Sequence, residues 1–138
     1  MKIKYDIQAL QRMTHFEKVT HSRLKDLVET ETKMFFVIEN GQLRKALGPQ
    51  MKNVKRLEEL FKKKIKIIEF DSLVTKFVVN VLAPLKVVDI KEDNGIITIT
   101  GPDQKTKGLM IGARAANLRM YESIVQKYFP EIKELKVI

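Results

Sequence analysis

The chain has 138 residues, room for one ordinary domain or two small ones, and its 44% hydrophobic and 31% charged residues are a globular composition. Lys and Arg number 26 against 17 acids, a formal net charge of +9 that favours polyanionic partners, nucleic acid before acidic membrane surface. The absence of cysteine excludes disulfide frameworks, thiolate metal sites and cysteine nucleophiles, and no apolar run approaches the roughly 18 residues of a spanning helix.

Met1-Lys2-Ile3-Lys4-Tyr5-Asp6 has neither an apolar h-region nor a small-residue cleavage site, so no signal peptide is expected and a cytoplasmic location is the default. From Asp6 to about Thr20 the pattern predicts a helix, with Asp6 as N-cap and Ile7, Leu10, Met13 and Phe16 near one face. Strands follow at Arg23 to Glu29 and Lys33 to Ile38. In the first, Leu24, Asp26 and Val28 lie opposite Lys25 and Leu27; the second is apolar from Met34 to Ile38. A short helix from Gln42 to Leu47 breaks at Gly48-Pro49. The next carries Val54, Leu57 and Phe61 at i, i+3, i+7. A strand closes this half, with Ile65 and Ile67 alternating with Lys64 and Lys66.

The same order then repeats. A helix from Ser72 to Val81 stops before Pro84, as the restriction on the residue preceding proline requires. Strands at Lys86 to Lys91 and Ile96 to Thr100 flank the turn Asp93-Asn94-Gly95. Pro102-Asp103 opens a short helix ending at Gly112. Leu118, Tyr121, Val125 and Tyr128 mark a longer helix, and Leu135 and Val137 the inward side of a last strand.

This repetition is visible residue by residue. Leu47-Gly48-Pro49-Gln50-Met51-Lys52-Asn53-Val54-Lys55 aligns with Ile111-Gly112-Ala113-Arg114-Ala115-Ala116-Asn117-Leu118-Arg119 at an offset of 64, matching the aliphatic, the glycine, the Asn, the next aliphatic and the next cation. A period of that length is a small domain rather than a solenoid repeat. Two copies, 1–70 and 71–138, fill the chain, each reading α-β-β-α-α-β in an α+β class.

That order, with a glycine turn between the second and third helices, resembles the type II KH fold, a three-stranded sheet covered by helices. A tandem pair of this length is similar to the archaeal NusA-like transcription factors. Their aliphatic-Gly-x-x-Gly stretch followed by Asn-aliphatic-Lys/Arg is matched in its tail by Asn53-Val54-Lys55 and Asn117-Leu118-Arg119, and their Ala-Pro pair by Ala83-Pro84. Both copies depart from the pattern at the second glycine, replaced by Met51 and Ala115.

A Gly-x-x-Gly turn lets protein backbone approach a nucleic-acid backbone, with about four nucleotides along the groove. N–H groups at the start of the following helix then face phosphate. The candidate first loop is Gly48, Pro49, Gln50, Met51, Lys52 and Lys55; the second is Gly112, Ala113, Arg114, Ala115 and Arg119, above a wall of Ile111 and Leu118. The first is expected to be weaker, because Pro49 removes a donor and Met51 takes up clearance. Yet Gly41 to Lys66 carries nine cations against two acids, and Arg44, Lys45, Arg56, Lys64 and Lys66 are read as a basic patch giving sequence-tolerant attraction.

Catalytic signals are missing. His15 and His21 lack metal-pair spacing, Ser22, Ser72 and Ser123 lack a nucleophile context, and no Gly-Lys-Ser/Thr phosphate loop occurs. No enzyme, metal, cofactor, membrane or small-molecule substrate is expected. The resemblance implies an RNA-binding transcription elongation or termination factor that holds single-stranded nascent transcript and acts with RNA polymerase. Two alternatives stand beside it: a KH scaffold that docks RNA polymerase or ribosomal partners with little RNA binding, and a ribosome-assembly or translation-associated KH protein.

Overall fold

The structure, a computed structural model, describes residues 7–138. The cap expected at Asp6 and the reading of residues 1–6 lie outside the described residues. The chain divides into two compact units, 1–70 and 71–138. Among the described residues no helix is long and apolar enough to cross a membrane.

The first unit runs α1 (Ile7–Thr20), β1 (Leu24–Glu29), β2 (Lys33–Ile38), α2 (Leu43–Leu47), a 3-10 turn (Pro49–Met51), α3 (Lys52–Phe61) and β3 (Lys64–Glu69). Its sheet has the order β1-β2-β3, with β1 antiparallel and β3 parallel to the central β2. β2 is apolar from Met34 to Ile38 because a central strand is buried on both faces, and all five of these residues are buried. Met34, Phe36 and Ile38 share a core with Phe16, Leu27, Ala46, Val54, Leu57, Ile65 and Ile67, and Phe16 stacks on Phe36 at 4.3 Å between centroids.

Two expectations change here. In β1 a register irregularity between Leu24 and Asp26 pairs Leu24 with Ile38 and Leu27 with Phe36. Both leucines therefore join the same core, where strict alternation would separate them. In α1, Ala9, Met13, Phe16 and Val19 pack on the core, while Ile7 and Leu10 are 75% and 50% exposed. The packed set at i, i+4, i+7 is a helix face that passes through Ala9 rather than Leu10.

The second unit runs α4 (Val74–Leu82), β4 (Asp89–Asp93), β5 (Ile96–Thr100), α5 (Gln104–Ile111), a 3-10 turn (Ala113–Ala115), α6 (Ala116–Tyr128) and β6 (Glu134–Val137). The sheet repeats the first, β4 antiparallel and β6 parallel to the central β5. β4 starts at Asp89 rather than Lys86, and the bond from Val88 N–H to Thr100 O leads into its pairing with β5. It reaches Asp93, leaving Asn94 (φ 52°) and Gly95 (φ 84°) as a two-residue hairpin turn with both φ positive. Ile97, Ile99, Met110, Leu118, Tyr121, Ile124, Val125 and Leu135 are buried, and Phe77 meets Tyr128 edge-on at 5.6 Å. The whole is a mixed α+β chain of two three-stranded sheets with helices, which fits a tandem KH-like arrangement.

Candidate nucleic-acid interface

Each loop joins a short helix to a longer one through the same backbone path. Gly48 has φ 72°, ψ 172°, and Gly112 has φ 74°, ψ 175°. Two residues on, Gln50 (54°, 31°) and Met51 (59°, 30°) are matched by Arg114 (54°, 33°) and Ala115 (60°, 22°). The dihedrals explain the departure from the glycine pattern. The first position lies where φ is positive and ψ near 180°, a region essentially closed to side chains. The second lies in the left-handed helical region, which an L-residue enters at about 1–2 kcal/mol. Met51 and Ala115 therefore replace a glycine without redirecting the chain, and the Met51 side chain is 50% exposed.

A second constraint binds each first glycine to an asparagine. An added methyl at Gly48 would lie 2.8 Å from Asn53 Nδ2, and one at Gly112 2.7 Å from Asn117 Cγ. Asn53 Nδ2 donates to Lys45 O (3.3 Å) and Ala46 O (3.1 Å), and Asn117 Nδ2 to Leu109 O (2.9 Å). Lys45 and Leu109 are themselves 64 apart, so the same side chain ties the end of the short helix to the start of the long one in both copies. The repeat alignment contains these asparagines, but only the folded loop shows what they do.

The loops differ in what they present. Met51 N–H donates to Gly48 O and Ala115 N–H to Gly112 O. Among the described residues, the N–H groups of Gln50, Ala113 and Arg114 have no backbone acceptor, and all three residues are exposed. Pro49 has no N–H where Ala113 has one. The four-residue turn of the second loop thus offers two donors and the Arg114 guanidinium; that of the first, Gly48 to Met51, offers one donor and no cation. Arg119 is exposed but bonded to Glu122 at 2.8 Å, and Glu122 is held in turn by Leu135 N–H at 2.9 Å. Of the expected aliphatic wall, Leu118 is buried and Ile111 half-buried.

The basic patch does not form one surface. Arg44 and Lys45 on α2, with Lys52, Lys55 and Arg56 on α3, are exposed on the helical side. Lys64 and Lys66 leave β3 on the opposite face, because Ile65 and Ile67 turn into the helical core. Lys66 is half-buried; burial, and then the neighbouring Lys33, lower its pKa to about 8. Lys63 is taken up internally, donating to Glu29 Oε2 at 2.5 Å and Thr30 O at 2.9 Å, and Arg12 bonds the same carboxylate. Burial pushes the Glu29 pKa up, but the bonds from Lys63 and Arg12 outweigh it and hold the carboxyl below its ordinary value. Among the described residues no cluster of His, Asp and Glu could hold a metal ion.

No family model matches the chain. Proteins named probable transcription termination protein NusA from Methanococcus vannielii, Methanocaldococcus jannaschii and Halococcus morrhuae are 27%, 26% and 25% identical to it. The matches cover 100%, 99% and 94% of this chain and 81%, 76% and 94% of those proteins. The crystal structure of APE1850 is similar in fold, with a TM-score of 0.74 at 21% identity over 97% of this chain and 100% of that one. The chain is thus similar to archaeal NusA proteins over nearly its whole length.

Proposed function

We propose that this NusA-like chain is an RNA-binding transcription factor of two tandem type II KH domains, 1–70 and 71–138, which holds single-stranded nascent RNA and modulates RNA polymerase. The observation that carries the reading is the twinned loop: two four-residue turns with matching dihedrals, each opening a helix and each held by an asparagine. The pairing in each sheet, antiparallel then parallel, supports the type II order. The transcription role is supported by the names of the relatives. The protein works in the cytoplasm as a binding protein rather than an enzyme.

The RNA backbone runs past each loop, its phosphates received by unbonded N–H groups and the positive end of the following helix. The second loop grips more tightly, through Ala113, Arg114 and the small Ala115. Titration of a short labelled single-stranded RNA at fixed salt tests this. Arg114→Glu is expected to cost about 1–3 kcal/mol, the range of a charge-assisted hydrogen bond to phosphate, and Gln50→Glu less. A parent protein that prefers duplex, or binding unmoved by either change, would remove the loops from the site and favour docking on RNA polymerase or ribosomal proteins.

A further inference from the structure

The outer face of α3 carries a row of cations that extends beyond the first loop. Val54, Leu57 and Phe61 turn this helix to the core. Lys52, Lys55 and Arg56 fall on the other side, within an arc of about 100° at 3.6 residues per turn, and Lys62 follows as the left-handed C-cap residue; all four are exposed. The first turn of α3 contains no acid, and Lys52 sits three and four residues before Lys55 and Arg56, spacings at which like charges repel. Arg12, Lys63, Lys91 and Arg119 are ion-paired, whereas among the described residues none of the four cations of this row is. Glu59 is the acid on this face.

The second unit supplies an internal comparison. At the offset of 64, Lys52, Lys55, Arg56 and Lys62 correspond to Ala116, Arg119, Met120 and Gln126. The same helix on the same scaffold thus keeps one cation of the four, and that one is bonded to Glu122. The fold does not require the row.

We propose that α3 is a phosphate rail: single-stranded RNA leaving the first loop continues along its outer face from Lys52 to Lys62, a rise of about 15 Å. This rests on the RNA-binding reading above and extends it. RNA is favoured over an acidic protein because the row is continuous with a loop whose backbone matches that of the second loop. Phosphate contacts carry no base information, so the rail is indifferent to sequence. It ends near Lys62, at a recess of mixed charge lined by Glu31, Glu58, Lys62, Lys63 and Lys64. The first unit thereby replaces the grip that Pro49 denies it with distributed charge.

The test uses the full chain carrying Lys55→Gln, Arg56→Gln and Lys62→Gln together. Glutamine keeps the helix propensity, and a thermal melt checks the fold. Fluorescein-labelled 15-nucleotide oligo-U and oligo-A are titrated over a range of salt. The variant is expected to lose roughly tenfold or more in affinity for both at low salt. Its slope of log K against log salt should be shallower by about 2, as for roughly three phosphates of a single strand. Each single substitution should carry about a third of that change. If affinity and slope are unchanged while Arg114→Glu weakens binding, the RNA reading stands and the rail is refuted. If neither variant matters, both fail. A loss confined to one of the two sequences, or tighter parental binding to polyglutamate than to RNA, also overturns the rail.

Discussion

Replacing Gly112 by alanine adds one methyl group where the second loop has no place for it. The methyl would lie 2.7 Å from Asn117 Cγ and 2.8 Å from Nδ2, so the asparagine must move and release Leu109 O. The lost hydrogen bond is worth about 1 kcal/mol, and holding a side chain at φ 74°, ψ 175° costs about 1–3 kcal/mol more. The sum, roughly 2–4 kcal/mol, should lower Tm by about 10 °C or more in a unit of this size and weaken RNA binding with it. Adding Asn117→Ala to Gly112→Ala gives the methyl room but leaves the dihedral strain, so the double variant should melt close to the single one. Ala115→Gly is the contrast. It relieves about 1–2 kcal/mol of left-handed strain but frees the unfolded chain by about 0.4–1 kcal/mol, leaving the variant between the parent's stability and about 1.6 kcal/mol above it. Differential scanning calorimetry separates these cases. A Gly112→Ala protein that melts with the parent, or an Ala115→Gly protein as damaged as Gly112→Ala, would refute the assignment of unequal roles to the two positions.

Two further outcomes concern the first unit. Glu29→Gln removes the carboxylate shared by Arg12 and Lys63 and should cost roughly 1.5–3 kcal/mol at neutral pH, the worth of hydrogen bonds to a charged group. Because the folded pKa of Glu29 is lowered, its contribution is present above the ordinary carboxylate range and lost as pH falls through the folded value. Urea melts from pH 7 to pH 3 should therefore show a flatter acid limb in the variant; an unchanged limb would exclude Glu29. Lys66 acts at the other end of the scale. Its folded pKa is about 8 against 10.5 for a free lysine, so the unfolded chain binds the proton more tightly between those values and stability rises with pH across them. Lys66→Met should abolish that rise, which melts at pH 7, 8.5 and 10 would measure, and a rise that survived would place its origin elsewhere.

Under the proposed function, the two loops divide their work according to what each can offer a phosphate. The second has donors and an exposed guanidinium on a compact turn. The first has one donor beside proline, followed by a helix whose outer face is cationic. Both retain the path that brings backbone to the surface, because the glycine that cannot be replaced is retained in both.

The repeat at offset 64, the α-β-β-α-α-β order and the positions of both glycine turns were legible from residue types alone. Each rests on local physics: a glycine where φ must be positive, apolar residues at spacings of two or of three and four, and proline ending a helix. What sequence could not supply was the consequence of long-range packing. One register irregularity in β1 sends Leu24 and Leu27 to the same face, and no local pattern marks where it falls. Neighbouring cations in sequence separate in space, since the alternation that buries Ile65 and Ile67 carries Lys64 and Lys66 away from Arg56. The unequal standing of the two loop glycines was also hidden, because a sequence motif records two identical letters. The tertiary path gives one a dihedral pair closed to side chains and an asparagine pressed against it, and the other a conformation that methionine and alanine can enter.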